Sequence, residues 1–61
     1  MIAEFTLPDG RPVTTNLDQL DYFEPCEVGT RIHFADGREL EIVDSYDAVA
    51  ELLNPERQAG L

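Results

Sequence analysis

Cys26 and His33 carry the most versatile chemistry in this chain, a thiol and an imidazole. Brought within hydrogen-bond reach, such a pair makes a nucleophile with its own general base. Their neighbours argue against that use. Glu24 and Glu27 bracket Cys26, and their charge works against a thiolate. His33 alternates with Ile32 and Phe34, which places it on the outward face of a strand as a surface histidine. Two soft ligands also fall short of the roughly four that a structural zinc site uses. Among the carboxylates, Glu39 and Glu41 share one strand face and Asp44 and Asp47 stand at a helix start, positions that suit a solvated face and a cap. No D-x-D-x-D-G calcium loop occurs, and Gly10, Gly29, Gly37 and Gly60 never cluster into a phosphate cradle. The expectation is a protein that is not an enzyme, with no catalytic, cofactor-binding or metal-ligating residue.

Charge narrows the choice of partner. Thirteen acidic residues against four basic ones give a net charge of −9. Such a field repels nucleic-acid backbones and anionic membranes, so direct nucleic-acid binding and membrane association are disfavoured. No charged-then-apolar leader and no apolar run of about 20 residues is present, and the lone cysteine fits a reducing compartment. The expected location is cytoplasmic.

A chain of 61 residues makes one domain at most, and at this size only about 60% of the unfolded surface is buried. Small scaffolds compensate with disulfides, metals or oligomerisation. One cysteine excludes an internal disulfide and no metal ligand set is visible, so a homodimer is the expected compensation.

The apolar pattern supplies the elements. In "IAEFTL", Phe5 and Leu7 oppose Glu4 and Thr6, a strand signature. Pro8-Asp9-Gly10 turns the chain into "RPVTT", a second strand with Pro12 at its edge or end. "NLDQ" is long enough for one helical turn capped by Asn16. "LDYFEP" is a third strand closed by Pro25, and Gly29 turns the chain into "RIHFA". Asp36-Gly37 is a two-residue or slightly longer hairpin signal, followed by Leu40 and Ile42 alternating with Glu39 and Glu41.

After Val43 the period changes. Asp44 or Ser45 can cap a helix, and Tyr46, Val49, Leu52 and Leu53 form one apolar stripe of two to three turns that Asn54-Pro55 ends. The expected fold is α+β, mainly β: a twisted antiparallel sheet of four to five strands with one C-terminal helix. Residues 1–54 make the domain and residues 55–61 a frayed tail.

Asp-Gly-Arg occurs twice, at residues 9–11 and 36–38, each time between two strand candidates. Asp and Gly are what a tight turn demands, so Asp9, Gly10, Asp36 and Gly37 read as structural turns and not as a recognition tripeptide.

Taken together, "FTLPDGRPVTTNLDQLDYFEP" followed by "GTRIHFADGRELEIVDSYDAVAELL" resembles the small bacterial FlbD/SwrD-like family associated with flagellar motility, whose short reading frames also occur in bacterial viruses. The likeness spans nearly residues 2–53: the leading Asp-Gly hairpin, Asn16-Leu17, the strand Tyr22 to Pro25, the strand Thr30 to Phe34, the Asp36-Gly37 turn and the Asp44-Ser45 helix start. A weaker likeness, from Leu17 to Leu53, is to the first part of LytTR-type domains. The basic and polar loop residues through which those domains bind DNA are largely acidic or missing here.

The expected function is that of a small acidic interaction or regulatory module of bacterial or phage origin, with Tyr22, Phe23, Phe34 and Tyr46 as candidate contacts for a protein partner or a second copy. The alternative is an acidic mimic of nucleic acid that inhibits a basic protein.

Overall fold

The computed structural model describes residues 1–53. Five strands form: β1 (Ile2–Thr6), β2 (Pro12–Asn16), β3 (Leu20–Pro25), β4 (Thr30–Phe34) and β5 (Glu39–Ile42), followed by helix α1 (Tyr46–Leu53). A single 3₁₀ turn, Leu17–Gln19, separates β2 from β3, and the Asn16 side chain accepts the Asp18 amide as its cap.

Both Asp-Gly-Arg segments are turns, and they are built alike. Gly10 N–H donates to the Leu7 carbonyl at 2.9 Å and Leu7 N–H to the Arg11 carbonyl at 2.8 Å; the matching bonds of the second copy are Gly37 to Phe34, 2.9 Å, and Phe34 to Arg38, 2.8 Å. Each loop therefore has three residues, one more than the shortest reading of Asp36-Gly37. Both glycines sit at φ +92°, where a side chain is strained. In each copy the aspartate accepts twice from the arginine that follows the glycine, from its backbone N–H at 3.0 Å and from its Nε at 2.7 Å. The tripeptide recurs because one local bonding scheme closes two hairpins.

The five strands are not one sheet. β1 and β2 pair as a two-stranded antiparallel sheet, and β3, β4 and β5 as a three-stranded one. The expectation of four to five strands in a single sheet is corrected here, and the 3₁₀ turn is the reason: it redirects the chain between β2 and β3, so these neighbours in sequence are not neighbours in a ladder. The sheets meet at one corner, where Val43 N–H donates to the Thr6 carbonyl at 2.9 Å and Thr6 N–H to Asp44 Oδ1 at 2.8 Å.

Phe5, Ile32, Ile42 and Val49 form the buried centre, with Ala3, Val13, Leu17, Leu20, Phe23, Phe34, Leu40 and Leu53 packed around it. Strict alternation along "LDYFEP" would send Leu20 and Phe23 to opposite faces. An irregularity between Leu20 and Tyr22 inserts an extra residue opposite β4, so both apolar side chains reach the core.

Ser45 Oγ accepts the Ala48 amide at 3.1 Å and caps the helix, while Asp44 is engaged by β1. The expected stripe is narrower than four residues. Val49 is fully buried and Leu53 partly so, whereas Leu52 and Tyr46 are 37% and 41% exposed. Eight helical residues on so small a core bury essentially one line of side chains. Fully burying Val49 is worth about 2 kcal/mol. The helix stop at Asn54-Pro55 and the tail lie outside the described residues.

Candidate functional site

The outward face of the three-stranded sheet is a ladder of polar side chains. Across its strands, Tyr22, His33 and Glu39 stand in one row and Glu24, Arg31 and Glu41 in the next. The Tyr22 and His33 rings stack, centroids 4.1 Å apart and nearly parallel. His33 Nε2 lies 2.6 Å from Glu24 Oε2, and its Nδ1 3.8 Å from Glu39. The Arg31 guanidinium donates to Glu41 Oε2 from Nη2 at 2.8 Å and from Nε at 3.1 Å, with Glu24 and Glu39 at the outer limit of an ion pair. The hydrogen bond and charge of Glu41 hold Arg31 more firmly protonated than an isolated guanidinium.

His33 is therefore on the expected outward face, partly covered there, its side chain 15% exposed. Tyr22 covers it, which alternation within one strand could not reveal. Cys26 pairs with Gly29 at the end of the β3–β4 hairpin while His33 pairs with Tyr22, so about 13 Å of strand separates their positions. Thiol and imidazole are not brought together. Among the described residues no group of three or more His, Cys, Asp or Glu side chains is arranged to hold a metal ion.

The second feature is a groove of about 280 Å³ between β2 and the end of the β4–β5 hairpin. Four consecutive residues, Val13 to Asn16, line one side; Phe34, Arg38, Glu39 and Leu40 line the other. Because both faces of β2 contribute, the strand presents its edge to the groove. Bonded pairs alternate along an antiparallel ladder. Leu7 bonds Arg11 and Leu17 bonds Met1, so Val13 and Thr15 bond β1 while Thr14 and Asn16 point their backbone groups away from it. Thr15 is buried, and its Oγ1 has no hydrogen-bond partner among the described residues.

The four candidate contact residues do not form one patch. Tyr22 lies on the outward sheet face, 53% exposed. Phe23 packs against Tyr46 under the helix, rings 5.2 Å apart. Phe34 lines the groove. Arg31 and Glu24 were missed as organising residues, although a signal existed: counting outward from the Asp36-Gly37 turn sets Arg31 opposite Glu41 and His33 opposite Glu39. No helix among the described residues is long and apolar enough to cross a membrane.

No family model matches this chain, and no curated protein or solved structure matches it.

Proposed function

We propose that this protein is a small, acidic, non-enzymatic module that acts by docking on a protein partner. The observation that carries the reading is the groove beside β2, where a strand edge with no partner strand among the described residues adjoins the apolar side chains of Val13, Phe34 and Leu40. Strand edges left open in this way invite another chain. The outward sheet face supports the same reading by contrast, because its charged groups satisfy one another.

The acidic-mimic alternative rests on the side chains of Glu4, Asp21, Glu27 and Asp47, whose carboxylates have neither an ion pair nor a hydrogen bond among the described residues. It is the weaker reading, because Glu24 and Glu41 converge on Arg31 and Asp9 and Asp36 are taken by their own arginines, so few carboxylates are free to stand in for phosphates. The site of action in this reading is the cytoplasm of a bacterium, with the FlbD/SwrD-like resemblance pointing to a motility or phage setting. Self-association belongs to the same proposal: Met1 and Ile2, 60% and 68% exposed, give β1 an apolar surface for a second copy.

Affinity capture from bacterial lysate at low and high salt tests the reading. Partners held at high salt support docking through apolar contact, since burial is insensitive to screening. Basic nucleic-acid-binding proteins released by salt support the mimic, and no captured partner at either salt counts against both.

A further inference from the structure

The edges of the two sheets are not equally available. β3 has a bulge after Leu20 and Pro25 at its end, both of which hinder strand addition. β5 and β1 are tied to each other at one end, through Val43 and Thr6 with the Thr6 amide also taken by Asp44, and no β1 residue lines the groove. β2 is the edge that adjoins the groove: its outward backbone groups, those of Thr14 and Asn16, have no partner strand among the described residues, and Pro12 blunts only its first position.

Charge decides between occupants. A second copy would bring a net charge of −9 against another −9. The groove's own cation, Arg38, is neutralised by Asp36 at 2.7 Å, while Glu39, which also lines the groove, has a side chain that is 58% exposed and only weakly engaged, 3.8 Å from His33 and 4.0 Å from Arg31. An approaching segment meets negative potential at the rim and apolar side chains below it.

We propose that β2 binds an extended, basic segment of a partner protein by strand addition, the segment pairing with the backbone of Thr14 and Asn16, placing apolar side chains over Val13, Phe34 and Leu40, and setting Lys or Arg beside Glu39. This rests on the docking reading and gives it an address. Main-chain bonds supply affinity in such complexes, and alternate side chains supply specificity.

Selection of short random peptides on the full chain, followed by amide-resolved NMR of the best binder, tests the proposal. The expected binders alternate apolar and basic residues and perturb the amides of Thr14, Asn16, Glu39 and Leu40. N-methylation of the peptide at alternate positions keeps its charge and removes its donors, and should weaken binding by about tenfold or more in one register and little in the other. Thr14→Pro removes the outward donor of β2 without touching a β1 bond, and should weaken binding similarly. Since the methylated peptide is tested on the unaltered protein, a misfolded Thr14→Pro variant does not protect the proposal. Peptides that instead perturb Tyr22 and His33 overturn strand addition while leaving the docking module standing. A selection that enriches nothing, or affinity indifferent to N-methylation in both registers, overturns it too, and lysate capture then decides the broader reading separately.

Discussion

The Thr6 amide donates to Asp44 Oδ1 at 2.8 Å across 38 positions of sequence, and through this bond the carboxylate next to the helix cap holds the end of the first strand. The contact is partly buried, so its loss strands a backbone donor away from water. The neighbouring Val43–Thr6 bond is the other hydrogen bond at this corner among the described residues.

Asp44→Ala should therefore destabilise the protein by about 2 kcal/mol, the middle of the range for an acceptor removed from a buried partner. Asp44→Asn keeps an acceptor oxygen and should cost less than half as much. Urea midpoints of the two variants compared with hydrogen exchange at Thr6 check this; equal losses would mean that charge, not the bond to Thr6, matters at this position.

Glycine substitutions should separate conformation from space. A Cβ on Gly10 or Gly37 meets nothing within 4 Å, so Gly→Ala at either should cost about 1 kcal/mol through backbone strain alone. At Gly29 the added carbon would lie 2.6 Å from the carbonyl oxygens of Ile42 and Val43, both backbone atoms that cannot swing aside. Gly29→Ala should leave the chain largely unfolded by circular dichroism under conditions where Gly37→Ala is folded.

What the sequence made legible divides along similar lines. Features closed within a few residues are plain in it: both Asp-Gly-Arg turns, the Asn16 cap, the Ser45 helix start and the alternation of β4 and β5. Features that need a distant partner are not. The bulge after Leu20 exists because Leu20 and Phe23 must both reach the core, Gly29 is required by the carbonyls of Ile42 and Val43, and His33 is covered because Tyr22 lies opposite it. The groove is of this second kind as well, since β2 and the β4–β5 hairpin approach one another only after the 3₁₀ turn has split the strands into two sheets.

Two buried threonines offer a paired test. Thr30 Oγ1 donates to the Asp44 carbonyl at 2.7 Å, whereas Thr15 Oγ1 has no partner among the described residues. Valine matches threonine in shape and lacks the hydroxyl. Thr30→Val should cost about 1–2 kcal/mol by leaving a carbonyl unsatisfied, and Thr15→Val should be neutral or stabilising because an unbonded hydroxyl leaves the core. Thermal melts in which both variants lose stability equally would assign Thr15 a bond that the fold does not display.

The Asp36 turn should respond to acid. The Arg38 backbone N–H, and then its guanidinium, hold the Asp36 carboxyl below the ordinary carboxylate range. A carboxylate depressed in the folded state contributes its stabilisation fully above its unfolded pKa and loses it as the pH falls through the lower folded value. The amides of Gly37 and Arg38 should therefore titrate with a midpoint below that of a free aspartate, about 3.9, and the shift should disappear in Asp36→Asn.

Self-association should strengthen with salt. The chain has 61 residues and one cysteine, and among the described residues four apolar side chains make up its buried centre, so it has little internal reserve of stability. Met1 and Ile2 are left exposed at β1, where a second copy can cover them. Burial of these side chains favours the pair, while two chains of charge −9 oppose it by long-range repulsion, which salt screens over about 10 Å at 0.1 M. Sedimentation equilibrium at tens of micromolar should accordingly show more dimer at high salt than at low, and Ile2→Ser should abolish it at both. A monomer throughout would reject the dimer, and dissociation on adding salt would mean that ion pairs, not apolar contact, hold the two copies.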